Sequence, residues 1–239
     1  YSGESNLKRV SLELGGKSPH IVFADCPDLD KAAEHAAWGI FYNQGEVCTA
    51  ASRLLVHADI ADAFLDQLLR VAEPIAAGDP LEPSTVFGAM VSSEQMQTAL
   101  RYIETAKQEG GVLRLGGNRT RMETGGYYVE PTVFDDVAPQ ATLAREEVFG
   151  PVLAVTRFTD TDEALRLAND TPYGLAAGLW TRDVSLAHRA ARAIKAGLVW
   201  VNGWDSCDIT LPFGGFKQSG FGRDRSLHAL HKYADLKSV

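Results

Sequence analysis

Short apolar runs alternate with longer amphipathic stretches along this chain, and the change of period predicts its elements. Residues 20–24 read as a buried strand. Asp28 is placed as the N-cap of a helix that runs to about residue 43 and stops near Gly45. A second strand covers residues 53–57, and a second helix covers residues 59–77, ending before Gly78-Asp79-Pro80. Ser92, with Gln95 three positions on, forms a capping box for a helix to about residue 109. Gly110-Gly111 closes it, and residues 112–115 resume extended structure. The polar, Gly-rich segment 116–126 reads as a surface loop. Beyond it the pattern predicts extended 127–134, strand 151–158, helix 162–169, strand 176–181, helix 183–195 and strand 198–202. Near the start, Val10, Leu12 and Leu14 alternate with Arg9, Ser11 and Glu13, which predicts a half-buried strand with Glu13 on its wet face.

Strands separated by helices imply βαβ units with right-handed crossovers. The expected fold class is therefore α/β, a three-layer αβα arrangement around a mainly parallel twisted sheet. No internal repeat or low-complexity region is present.

Composition narrows the function classes. With 239 residues and 45% apolar content, the chain can bury a substantial core as one large domain or two small ones. A formal net charge of −8 and the lack of a Lys/Arg run argue against nucleic acid and anionic membrane as partners. No stretch approaches the ~20 apolar residues of a membrane span. Tyr1 stands first and no signal peptide is evident. Cys26, Cys48 and Cys207 are widely spaced, supporting neither a disulfide framework nor a metal cluster, so a reducing cytoplasm is expected.

Two glycine-rich stretches fail as phosphate cradles. Gly16-Lys17-Ser18 resembles the end of a P-loop, but the first glycine of that motif would fall on Ser11. Gly214-Gly215 through Gly220 and Gly222 never forms G-x-G-x-x-G.

The chemistry-bearing residues lie elsewhere. Cys48 sits in Phe41-Tyr42-Asn43-Gln44-Gly45-Glu46-Val47-Cys48-Thr49-Ala50, and 35 positions upstream Glu13 opens Glu13-Leu14-Gly15-Gly16-Lys17-Ser18-Pro19. A thiolate can attack a carbonyl, and a carboxylate can activate the water that releases the acyl group. A lone cysteine is more often inert packing, and a carboxylate on a strand is often merely solvated. Three further blocks change that balance. They are Glu146-Glu147-Val148-Phe149-Gly150-Pro151, Asn169-Asp170-Thr171-Pro172-Tyr173-Gly174-Leu175 and Pro212-Phe213-Gly214-Gly215-Phe216-Lys217-Gln218-Ser219-Gly220.

Together the five blocks resemble the NAD(P)-dependent aldehyde dehydrogenase superfamily from about residue 6 to residue 239. Gly222-Arg223-Asp224 and Ser226-Leu227-His228-Ala229-Leu230 most resemble its γ-glutamyl-γ-aminobutyraldehyde dehydrogenase branch. Complete members of the family are about twice as long, with a Rossmann-like cofactor domain before the catalytic one. The resemblance thus implies a C-terminal catalytic piece. Residues 1–15 would be the last strand of a truncated cofactor domain and residues 16–197 the catalytic domain. Residues 198–239 would be a pocket loop and return segment toward the missing domain.

By the same resemblance Cys48 is the nucleophile and Glu13 the base that hydrolyses its thioester. The Cys48 backbone N–H would be one oxyanion donor, the other being an asparagine side chain from the missing half. Glu147, Phe149 and Leu14 would contact the cofactor, NAD or NADP with NAD favoured. Glu147 would take the nicotinamide ribose hydroxyls and Phe149 the ring, although a solvated carboxylate beside a core phenylalanine is the plainer alternative. Tyr42, Thr49 and Phe213 would border the aldehyde, while Trp204, Asp205 and Cys207 fall on a pocket loop. Asp205 and Asp208 could attract an amine-bearing aldehyde or could equally be turn formers. Lys17 reads as a structural or solvated lysine. The implied partners are a small aldehyde, the missing N-terminal domain and, at full length, further copies of the same protein. A cysteine hydrolase pairing Cys48 with a histidine, and a folded but inactive fragment, are the competing readings.

Overall fold

The computed structural model describes residues 2–239. Its elements begin with β1 (Leu12–Glu13), β2 (Pro19–Val22), α1 (Leu29–Phe41), β3 (Arg53–His57), α2 (Ala61–Ala72) and α3 (Ser93–Gln108). Next come β4 (Val112–Leu115), β5 (Arg119–Thr120), β6 (Tyr128–Val129), β7 (Thr132–Asp135), α4 (Thr142–Arg145) and β8 (Val152–Phe158). The series ends with α5 (Thr161–Asn169), β9 (Ala176–Trp180), α6 (Val184–Ala193), β10 (Leu198–Val201) and β11 (Gly220–Phe221).

Seven strands form one sheet in the order β10-β9-β2-β3-β8-β7-β4. Every neighbouring pair is parallel except the edge pair β4–β7. Successive side chains leave a strand on opposite faces, so each central strand feeds two cores. Val22, Leu54, Val56, Leu153 and Val155 pack with Ala33, Ile40, Phe64 and Leu68 of α1 and α2. Ile21, Leu55 and Leu179 pack on the other side with Leu167 and Ala190 of α5 and α6. Val152, Ala154 and Phe134 meet Met96, Ala99 and Ile103 of α3. Helices therefore cover both faces, which makes the three α/β layers.

Local chemistry sets the helix starts. Asp28, Asp160 and Asp183 each accept a hydrogen bond from a first-turn backbone N–H of α1, α5 and α6. Ser92 does the same for α3 through Gln95 N at 3.1 Å. The capping box, however, is only half made, because the Gln95 amide points elsewhere.

Four further expectations need correction. The second helix ends at Ala72, not near residue 77, because Pro74 has no N–H to continue the hydrogen-bond ladder, although Glu73 before it still has helical geometry. A 3₁₀ turn over Ala58–Ile60 replaces its first turn. Segment 116–126 carries a strand, since β5 pairs antiparallel with β6 around a 3₁₀ turn. Around Glu13 only two residues are strand, and the apolar face is wet, with Leu12 37% and Leu14 45% exposed. This strand pairs with β11 alone, Glu13 opposite Gly220, away from the main sheet.

Among the described residues, no helix is long and apolar enough to cross a membrane. No group of three His, Cys, Asp or Glu side chains is placed to hold a metal ion.

Candidate active site

The turn that carries Cys48 is strained and held from outside. After α1 the chain passes through Asn43, Gln44 and Gly45 with φ of 48°, 57° and 72°, all left-handed. Only glycine adopts that region freely, so the first two residues need support from their surroundings. Asn43 Nδ2 donates to Glu46 O at 3.0 Å. Gln44 Oε1 accepts from Gly88 N at 2.9 Å, and its amide donates to Ala89 O. The Glu46 carboxylate accepts from Val91 N. Gly45 is packed so tightly that a methyl group there would overlap the Gly150 carbonyl.

Gly150 belongs to the segment bearing Glu147 and Phe149, so this contact joins the thiol turn to that segment. Phe149 is itself left-handed at φ 54°. Gln95 Nε2 holds it by donating to Val148 O and Phe149 O, both at 2.8 Å. That is where the missing half of the capping box is used. Nothing in the sequence signals this role, since Gln at that position already satisfies the capping pattern.

Gly15 and Gly16 bring in the third piece. Gly16 N donates to Glu147 Oε1 at 3.0 Å. A methyl on Gly15 would overlap the Glu147 carboxylate, and one on Gly16 would come within 2.8 Å of Cys48 O. Two adjacent positions without side chains thus let segments 13–17, 45–48 and 147–150 meet. Glu13 lies nearby, its Oε1 2.9 Å from where a Gly214 methyl would sit, with Arg223 Nη1 3.0 Å from the same point. Asp224, ion-paired to Lys232, completes its surroundings.

Electrostatics ties these groups together. Burial pushes the Cys48 thiol above its usual range. The Glu13 and Glu147 carboxylates push the same way, while the Thr49 and Cys48 backbone N–H groups pull it down. Burial also raises the Glu13 carboxyl, Asp224 adds to this, and Lys232 and Arg223 oppose it. Glu147 is raised by burial against the Gly16 N–H and Lys17. A resting thiol flanked by weakened acids suits a centre where a proton must leave sulfur and, later, water.

No side chain is hydrogen-bonded to Cys48 Sγ among the described residues, and its partners are the Thr49 and Cys48 backbone N–H groups. No histidine pairs with it either. His20 is buried between Trp180 and Trp204, and His35 Nδ1 accepts from Trp204 N. The cysteine–histidine hydrolase reading has no geometry here.

The other sequence-predicted residues divide. Phe149 is partly exposed beside Glu147. Leu14 is exposed, and its N–H donates to Ser219 O at 3.1 Å. Thr49 is buried next to the thiol, and Tyr42 is exposed where α1 ends. Phe213 and Cys207 line a cavity of about 230 Å³ with Leu198, Trp200, Pro212 and Arg225, whose lining does not include Cys48, Glu13 or Glu147. Arg225 stacks over the Phe213 ring at 5.1 Å. Asp205 is left-handed at φ 55°, with Cys207 Sγ 3.5 Å from its Oδ1. Asp208 is a turn former, accepting from Thr210 N and Oγ1, both at 2.8 Å. Trp204 sits on the loop that follows β10 and leads to Cys207, with its ring turned into the core. It is 8% exposed, stacks on His20, lies tilted against Trp200, and needs glycine at positions 39 and 178 to fit.

Lys17, expected to be structural or solvated, is buried, which removes the solvated reading and leaves the structural one, and burial brings its pKa down to about 7.

For a nicotinamide cofactor the residues fit. Glu147 uses Oε1 on Gly16 and has Oε2 without a hydrogen-bond partner among the described residues. A carboxylate oxygen suits hydroxyl donors, and the exposed Phe149 ring suits a flat cationic ring.

Comparison with known proteins shows the family. The model described as "Aldehyde dehydrogenase family" matches residues 1–239. The chain is 52% identical over 238 residues to the NADP/NAD-dependent aldehyde dehydrogenase PuuC of Escherichia coli (strain K12), covering 100% of this chain and 47% of that protein. The solved structure of the aldehyde dehydrogenase KauB from Pseudomonas aeruginosa is similar at 59% identity and TM-score 0.98, covering 99% of this chain and 48% of that one. The γ-glutamyl-γ-aminobutyraldehyde dehydrogenase from Burkholderia cenocepacia J2315 is similar at 58% identity and TM-score 0.97, with 99% and 48% covered. This chain spans about half the length of the relatives it matches.

Proposed function

The chain belongs to the aldehyde dehydrogenase family, and on that premise we propose that it carries the thiol and carboxylate with which an NAD(P)-dependent enzyme oxidises an aldehyde to its acid. The observation that carries the proposal is the approach of Gly16, three residues from Glu13, to both the Cys48 backbone and the Glu147 carboxylate, and the upward push of both carboxylates on the thiol supports it. Cys48 loses its proton and adds through sulfur to the aldehyde carbon. The Cys48 backbone N–H stabilises the oxygen that becomes negative. The chemistry that NAD(P)+ supplies when bound is acceptance of a hydride, and Glu147 and Phe149 are the residues here that would hold it. Glu13 then takes a proton from the water that attacks the thioester on Cys48, releasing the carboxylic acid. A base with a raised pKa is better matched to that step than an ordinary carboxylate.

An amino-bearing aldehyde is the proposed substrate class. Likeness to the γ-glutamyl-γ-aminobutyraldehyde dehydrogenase of Burkholderia cenocepacia supports it. The matched relatives are about twice as long. Their remaining half is proposed to complete the cofactor site, with NAD favoured over NADP and several copies assembling at full length. The test compares the intact enzyme, its Cys48→Ser variant and this chain alone in an NADH-release assay with an amino-aldehyde. Only the intact enzyme should release NADH. Undiminished release by Cys48→Ser would refute the role of the thiol, and release by this chain alone would refute the need for a further segment.

A further inference from the structure

The loop after β10 is fastened by groups far apart in the chain. Asn202 holds its start, donating through Nδ2 to Thr181 O and accepting at Oδ1 from Thr181 N, both at 3.0 Å. Further on, Trp200 Nε1 donates to Ser206 O at 3.0 Å. Between these points the Trp204 N–H donates to His35 Nδ1 of α1, also at 3.0 Å. A ring nitrogen accepts a hydrogen bond only while it carries no proton, so this bond exists only for neutral His35. The imidazole is held by an edge contact with Trp180, the ring centroids 5.4 Å apart. What the loop borders gives the bond a consequence. Ser206, Cys207 and Asp208 line the cavity of about 230 Å³ together with Phe213. Gly214, the residue after Phe213, lies against the Glu13 carboxylate. Trp204 itself packs with Ala51, three positions beyond Cys48, and Ala51 N donates to Gly39 O of α1 at 2.8 Å.

We infer that His35 is a positioning residue for the aldehyde pocket, its Nδ1 fixing the loop of Trp204 and Cys207 against α1 and so shaping the cavity that takes the substrate. The inference rests on the reading of Cys207 and Phe213 as substrate residues. Protonating Nδ1 sets one N–H against another, and the loop loses this anchor. The charges around His35 place that loss on the acid side. Burial, then Lys31 of its own helix, holds the imidazole below its ordinary range, and Glu34 opposes them. From the sheet, His20 faces the same two tryptophans but stays neutral, burial bringing it down to about 3. Trp180 and Trp204 carry no charge. The anchor is therefore whole at neutral pH and is lost as pH falls below the ordinary histidine range.

The experiment measures KM and kcat for an amino-aldehyde on the intact enzyme between about pH 5 and 8. His35→Phe keeps a ring against Trp180 but offers no acceptor. It should raise KM roughly two- to tenfold, the worth of one hydrogen bond, with kcat nearly unchanged. His35→Asn offers an uncharged oxygen in place of Nδ1. It should keep the wild-type KM at neutral pH and lack the rise in KM that wild type shows in acid. Should His35→Phe not fold, His35→Leu carries the same test. Cys207→Trp, the control, fills the cavity and should raise KM at least as much. If Cys207→Trp keeps the wild-type KM, the aldehyde does not use this cavity and the reading of the pocket itself fails. If Cys207→Trp acts as expected, a wild-type KM in His35→Phe, or an acid rise in His35→Asn equal to that of wild type, overturns the role of His35.

Discussion

Replacing Gly45 by alanine tests whether the thiol turn and the Glu147–Gly150 segment form one unit. Two costs follow from the structure. Gly45 has φ 72°, and holding a residue with a Cβ there costs roughly 1–2 kcal/mol. The added methyl would also sit 2.5 Å from Gly150 C and 3.0 Å from Ile40 O, against an ordinary contact of about 3.4 Å or more. Both neighbours are backbone, so about an ångström of separation must come from moving the two segments apart. Overpacking of this kind costs roughly 1–3 kcal/mol. Alanine also restricts the unfolded chain, which returns up to about 1 kcal/mol. The net expectation is a loss of about 2–4 kcal/mol, read as a lower midpoint in urea denaturation. Alkylation of Cys48 by iodoacetamide and NAD+ binding should change together, because one displacement moves both sites. A Gly45→Ala protein with wild-type midpoint and wild-type alkylation would refute the close approach.

Two other perturbations follow from the charges. Ionised Glu13 disfavours the Cys48 thiolate and so helps hold the thiol high. Glu13→Gln should therefore shift the alkylation profile of Cys48 to lower pH at low salt while slowing acid release in the intact enzyme, and an unchanged profile would separate the two groups. His20 is fully buried with both ring nitrogens unpartnered, and burial, then His35, lowers it to about 3 from 6.5. Below about pH 6.5 the unfolded chain takes up a proton on His20 that the folded one refuses, so stability falls with pH through this group. His20→Phe should leave neutral-pH stability equal or higher and reduce that acid sensitivity. A marked loss of stability at neutral pH would mean that the ring nitrogens are bonded.

Most of the fold was legible in local pattern. Asp28 and Ser92 cap the helices expected of them, because capping involves only residues three positions apart. Strand Arg53–His57 was read to the residue. The errors came where neighbours far along the chain decide. Leu12 and Leu14 alternate like a half-buried strand, yet β1 pairs only with the two-residue β11. The inward turn of the Trp204 ring from its loop is set in the same way, by Trp200, His20 and the space that Gly39 and Gly178 leave.

The site divides in the same way. The resemblance of five sequence blocks to one family pointed to Cys48, Glu13, Glu147 and Phe149 as the groups to follow, where residue types alone left each with a plainer reading. Their meeting was decided only in three dimensions. Gly16 N reaches Glu147 across 131 positions, Gly45 abuts Gly150, and the Gln95 amide fixes the Phe149 carbonyl. The burial that shifts Cys48, Lys17 and His20 is likewise a property of packing. Local preferences act over a few residues, whereas contact and desolvation depend on which distant segments the core brings together.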